Sequence, residues 1–161
     1  HLYYNYKLKE YMKMKITNWK KGAGKLGVLT PLLGSWQART DSPMGKVSCT
    51  RTFTKILGGK YIHLVARWEF GKKIYEEFAV YGVKDNKLSF WSFTSDGKRS
   101  EGVIADGKDV HPNAIAFEAQ MPAGLVRMIY WPNEDGSISW AVEAKNKKGW
   151  KRFTQHKYLP L

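Results

Sequence analysis

The feature that most constrains this chain is its punctuation. From Leu33 onward, aromatic and β-branched runs alternate with nine turn signals. These are Asp41–Gly45, Gly58-Gly59, Gly71–Lys73, Asp85-Asn86, Ser95–Gly97, Asp106–Asn113, Pro122–Gly124, Asn133–Gly136 and Asn146–Gly149. No stretch between them is long enough for a crossover helix, so parallel βαβ architecture is excluded. Short strands at this spacing predict an all-β fold, an antiparallel and mostly up-and-down barrel of about 8–10 strands. The strands expected are 34–40, 46–56, 60–70, 74–84, 87–94, 99–105, 114–121, 124–132, 137–145 and 149–158. Gly22–Leu33, with Leu26, Leu29, Leu32 and Leu33 near helical spacing, predicts a short helical lead-in despite Pro31.

Alternation sets several faces. Val47, Cys49, Arg51 and Phe53 oppose Ser48, Thr50, Thr52 and Thr54. Ile62, Leu64, Ala66, Trp68 and Phe70 oppose Tyr61, His63, Arg67 and Glu69. Ile138, Trp140, Val142 and Ala144 oppose Ser139, Glu143 and Lys145. In 74–84 both faces are apolar, and periodicity assigns neither inward.

Seven Trp, nine Tyr and seven Phe supply enough apolar surface for a core, which excludes extended disorder. The division expected is a basic N-terminal extension with a short helix over 1–31 and a barrel domain over 32–161. Residues 1–15 show no clean period and stand apart from the fold reasoning, with Met12 and Met14 as alternative starts. No apolar run reaches the ~20 residues of a membrane helix, and the basic N-terminal segment lacks the 7–15-residue apolar stretch of a secretory signal. With Cys49 as the single cysteine, these features lead to the expectation of a soluble cytoplasmic protein.

The formal net charge is +13. Residues 1–30 hold seven lysines against Glu10, and a second basic cluster comprises Lys145, Lys147, Lys148, Lys151, Arg152 and Lys157. Such charge draws anionic partners, so nucleic acid or an anionic membrane is an alternative partner class. A homodimer through an exposed edge or apolar patch is a further alternative.

Leu33-Gly34-Ser35-Trp36 resembles the Gly-x-Trp signature that opens the barrel of lipocalins and related calycins. The resemblance implies that Trp36 closes one barrel end beneath Arg152 of the last strand, a guanidinium-on-indole contact. Gly58-Gly59, Tyr81-Gly82, Trp91–Gly97 and Asp135-Gly136 resemble segments of a bacterial lipocalin-like family of unknown function. The resemblance covers about residues 32–158 and implies a barrel that holds a small molecule. Some small calycin barrels bind heme through one histidine, which makes His156 of the last strand a heme candidate beside Trp150, Arg152 and Thr154.

Catalytic and metal patterns are sparse. Gly22-Ala23-Gly24-Lys25-Leu26-Gly27 spells Gly-x-Gly-x-x-Gly, but no buried strand precedes it, so it reads as a flexible linker. Glu76 and Glu77 are adjacent in a strand and cannot share a face. Asp106, Asp109 and His111 read as a hydrophilic turn rather than a cation site. No zinc motif or nucleophile elbow is written locally, so neither catalysis nor a required cofactor is expected. The leading expectation is a binding barrel for a small hydrophobic or amphipathic ligand, anionic ones included. Arg51 and Arg127 interrupt apolar faces and are the expected charged anchors, paired with a ligand carboxylate or an acid such as Glu118. Trp68, Phe78, Trp91, Trp131 and Trp140 are the expected aromatic walls.

Overall fold

The computed structural model describes residues 2–17, 19–42 and 45–161. Pro43 and Met44 of the first expected turn lie outside them. Helix α1 (Leu2–Thr17) comes first. A 3₁₀ segment (Leu26–Leu32) follows, and then ten strands. These are β1 (Gly34–Ser42), β2 (Gly45–Ile56), β3 (Tyr61–Phe70), β4 (Lys73–Lys84) and β5 (Lys87–Thr94). The chain continues through β6 (Arg99–Ala105), β7 (Ile115–Met121), β8 (Gly124–Pro132), β9 (Ile138–Asn146) and β10 (Gly149–Pro160). Each strand pairs antiparallel with its sequence neighbours, and β1 pairs with β10, so the sheet closes. The barrel is all-β and up-and-down, with a helical lead-in. Closure removes the free sheet edges that would otherwise template aggregation.

Turn chemistry explains the register. The β4–β5 hairpin turns on Asp85 and Asn86, with φ of 51° and 64°. Short polar side chains tolerate this left-handed backbone, and it matches strand twist. The β1–β10 seam is short, pairing Trp36 with Pro160 and Gln37 with Leu159. The Leu161 amide adds a bond to the Ser35 carbonyl at 2.9 Å.

The 3₁₀ segment plugs one end of the barrel. Leu29 and Leu32 have no exposed surface and join Phe53, Ile62, Tyr81, Leu88, Ile115, Tyr130 and Ile138 in the main core. Trp36 Nε1 donates to the Leu32 carbonyl at 2.8 Å, fastening β1 to the plug. Lys25 Nζ donates to Asn86, fastening the plug to the β4–β5 turn. The Gly-x-Gly-x-x-Gly stretch is an ordered turn, not a flexible linker. Its Gly22 amide bonds the Gly27 carbonyl at 2.8 Å, and a Cβ at Gly27 would lie 2.2 Å from the Gly22 oxygen.

A second, smaller core lies outside the barrel wall. Ala116, Ile129 and Ala141 face outward from β7, β8 and β9 and are buried with Val110, Ala114 and Trp131 beside them. The β6–β7 loop covers them. It approaches so closely that a Cβ at Gly107 would meet Ile129 Cδ1 at 2.7 Å.

Candidate functional site

Two arginines are buried, and they occupy opposite faces of the wall. Arg51 points into the barrel from the middle of β2, 2% exposed. Its Cζ lies 4.7 Å from the Trp140 ring centroid, 5.5 Å from Trp68, 5.6 Å from Tyr130 and 5.9 Å from Tyr158. Each is a cation–π distance, strengthened by desolvation. Glu77, inward-facing on β4, brings Oε1 to 3.6 Å from Arg51 Nη2, and its Oε2 accepts from Ser92 Oγ at 2.8 Å.

The pairing is incomplete. Arg51 Nε and Nη1 are buried with no hydrogen-bond partner among the described residues, as are Tyr130 Oη and Trp140 Nε1. An unmade bond at a buried donor forfeits its full desolvation cost, about 1–3 kcal/mol and more for a charged group. The free volume against this cluster, lined by Leu32, Trp36, Arg51, Phe53, Tyr130, Ile138 and Tyr158, is about 10 Å³. That is about the space of one water.

Neighbouring groups hold their protons. Burial is the largest influence on Tyr130 and pushes its phenol up to about 12. Burial raises Tyr158 as well. The Cys49 thiol is raised, again chiefly by burial, and it accepts from Tyr158 Oη at 3.0 Å. The site therefore offers a fixed cation and neutral donors inside an aromatic box.

Arg127 is on the outer face and fully paired. Its Nη1 and Nη2 meet Asp109 Oδ1 and Oδ2 at 2.8 and 2.9 Å. Its Nε donates to Glu143 Oε1 at 3.0 Å, and Nη1 also reaches the Asp106 carbonyl at 3.3 Å. Trp150 caps the guanidinium at 4.4 Å. Arg152 Nε takes the other Glu143 oxygen at 3.1 Å and stacks on Trp131 at 4.9 Å. The expectation of Arg127 as an interior ligand anchor is corrected: it ties the β6–β7 loop to the wall. Its acids are Asp109 and Glu143 rather than Glu118, because Asp109 comes from the covering loop and Glu143 faces it across the β8–β9 ladder.

Other expectations are corrected by parity. Ile62 pairs with Tyr81, and Tyr81 with Phe90, all three inward. Phe78 and Trp91 therefore face outward, and Phe78 is 45% exposed. Trp131 is outward beneath Arg152. Trp68 and Trp140 face the barrel interior. Trp36 does not meet Arg152: it pairs with Pro160 at the far end of β10. A bulge between Arg152 and Thr154 turns Trp150 and Arg152 out while Thr154, His156 and Tyr158 stay in. His156 thus faces inward with Thr154 but without Trp150 and Arg152. Trp140 and Tyr158 stand against its ring, at 5.6 and 6.4 Å. Burial, aided by the Arg51 charge, lowers its pKa.

Asp106 and His111 serve their own loop. Asp106 Oδ1 accepts from the Lys108 amide at 2.8 Å, and His111 Nδ1 from the Asn113 amide at 3.0 Å. Among the described residues no cluster of three or more metal-ligating side chains occurs. Sequence reasoning missed Glu77, Tyr130 and Tyr158 as neighbours of Arg51. Their inward parity was readable, but their convergence on one point depends on barrel register.

No family model matches the chain, and no curated protein does. Among solved structures, a de novo designed fluorescence-activating beta barrel is 15% identical, covers 80% of this chain and 93% of its own, and superposes with a TM-score of 0.36. A likeness this distant carries no functional argument.

Proposed function

We propose that the barrel binds a small amphipathic molecule whose carboxylate or other acceptor oxygen meets Arg51. The supporting observation is the pair of partnerless donors, Arg51 Nε and Nη1, inside a box of four aromatic rings. An acceptor oxygen supplies what Glu77 at 3.6 Å does not, and the rings supply apolar walls. Such a site joins apolar burial to a few orienting polar groups. The small free volume requires that side chains around Arg51 turn aside on binding.

Intrinsic fluorescence reads this directly, because the Trp68 and Trp140 indoles adjoin Arg51. The titration compares a saturated carboxylate series, octanoate to palmitate, with the matching alcohols. Carboxylates are expected to give saturable quenching and the alcohols to bind more weakly. A hydrogen bond to a charged group contributes about 1.5–3 kcal/mol, so Arg51→Met in a Glu77→Gln background is expected to weaken carboxylate binding about 10–100-fold. The paired change avoids an unpaired buried acid. Unchanged affinity in that variant, or no saturable response from the parent, would falsify the reading.

A further inference from the structure

A cleft of about 500 Å³ lies at the plug end of the molecule, between the lead-in and the β6–β7 loop. No residue lines both this cleft and the space beside Arg51. Its volume falls within the ~300–1,000 Å³ of small-molecule sites.

Local sequence builds both walls. Gly107 lets the β6–β7 loop descend onto the outer core, and the loop then closes on itself. The Val110 and His111 amides donate to the Gly107 carbonyl at 3.0 and 3.2 Å, and the Ala114 amide to the His111 carbonyl at 3.0 Å. Across the cleft, the turn closed by the Gly22 amide and the Gly27 carbonyl follows directly on Lys21. Trp19 Nε1 donates to the Asn113 carbonyl at 2.9 Å. That bond joins the two walls and fixes the indole at the cleft. The cleft is therefore formed in the free protein, so binding orders little.

The floor is apolar and includes Val28, Pro31, Ile104, Ala105, Ala114 and Ile115. The charged groups in the lining are Lys21, Lys108 and Asp106. Neither ammonium has an ion pair or hydrogen bond among the described residues. Asp106 is the one acid of the lining, and its Oδ1 accepts from the Lys108 amide at 2.8 Å. Asp109, on the same loop, is held by Arg127 instead. The lining is thus net positive, on a chain whose net charge is +13, and it draws anions. A fixed indole beside an apolar floor favours a flat ring, which buries area against both. We infer that this cleft is a second binding site, one that takes a small aromatic anion. The ring lies on the floor against Trp19, and the anionic group is held by Lys21 and Lys108. This site does not depend on ligand binding at Arg51.

Fluorescence titration of the full chain with 8-anilinonaphthalene-1-sulfonate tests it, because this aromatic sulfonate brightens in an apolar site. Saturable enhancement with one probe per chain is expected, weakening as salt rises. The neutral analogue N-phenyl-1-naphthylamine is expected to bind less tightly. Lys21→Gln with Lys108→Gln, both at exposed positions, is expected to weaken the sulfonate about 3–30-fold, the range that two exposed charge contacts support. Arg51→Met with Glu77→Gln, and separately Phe78→Thr with Phe93→Thr, are expected to bind it like the parent. The first control separates the cleft from the barrel interior, and the second from the exposed phenylalanines of β4 and β5. No saturable response from the parent overturns the inference, as does affinity that survives loss of both lysines. Binding lost with Arg51 and Glu77 overturns it too, while leaving the interior site standing.

Discussion

Arg51 and Arg127 show how much a buried guanidinium depends on what faces it. Each is 2% exposed. Arg127 has carboxylates from Asp109 and Glu143 on its donors and an indole on its face. Arg51 has four rings but one acid, at 3.6 Å. The first arrangement is complete and structural, whereas the second leaves donors for a ligand. A nearby residue adds a pH response. Burial and the Arg51 charge set the His156 pKa below its usual 6.5, so the folded state takes up its proton less readily than the unfolded chain. Stability from this residue is therefore whole above about pH 6.5 and declines as pH falls toward the lowered folded value. The thermal midpoint is expected to drop on moving from pH 7.5 to 5.5, and His156→Gln to flatten that drop. Asp109, held low by its Arg127 bond, and Asp135, held near 2 by Lys157 and Ser137 against the opposing effect of burial, contribute only at more acidic pH. A parent midpoint that is level between pH 7.5 and 5.5 would count against this assignment.

At the scale of elements, the β6–β7 loop is the segment whose hydrophilic sequence most conceals its role. Asp106 to Asn113 reads as a turn, yet it roofs an outer core and is held by Arg127. Asp109 is 57% exposed, so solvent screening limits its pair to about 1 kcal/mol. Asp109→Asn is expected to speed amide exchange in residues 106–114 by up to about tenfold without moving the rest of the barrel. Glu143 is 4% exposed and serves two arginines. Glu143→Gln is expected to cost about 1.5–3 kcal/mol in urea unfolding. Equal effects of the two substitutions on loop exchange and global stability would refute this division of labour. The strands themselves were legible, because period-two alternation and turn residues such as Asp85-Asn86 bound them within a residue or two. The face of β4 was not, since Phe78 and Tyr81 are equally apolar and only pairing with β3 and β5 separates them. Helix α1 lacked any apolar stripe to betray it: Tyr3, Tyr4 and Tyr6 are all exposed. β10 misled because a bulge at Phe153 reverses parity midway, moving Trp150 and Arg152 outside. For the site, Arg51 stood out as the charge on an apolar face, while Glu77 was masked by its neighbour Glu76.

For the whole molecule, closure and the plug act together. The β1–β10 seam has few pairings, and β1 is also held through Trp36 to the Leu32 carbonyl. The plug thus fills one barrel end and steadies the strand where the sheet closes. Leu29 and Leu32 are fully buried among strands from both halves of the barrel, so truncating either removes transfer energy and leaves a cavity. Leu29→Ala is expected to cost about 2–5 kcal/mol, as buried leucines commonly do. If plug and barrel form one cooperative unit, urea unfolding of this variant shows a lower midpoint with an unchanged slope. A plug that is merely an appendage would give a shift under about 1 kcal/mol, or a separate early transition in tryptophan fluorescence from Trp36. The cooperative outcome follows from geometry. Leu29 and Leu32 cannot leave the core without uncovering Phe53, Tyr81 and Tyr130, and Tyr130 is a wall of the Arg51 box. The plug therefore stabilises the fold and the candidate site through the same side chains.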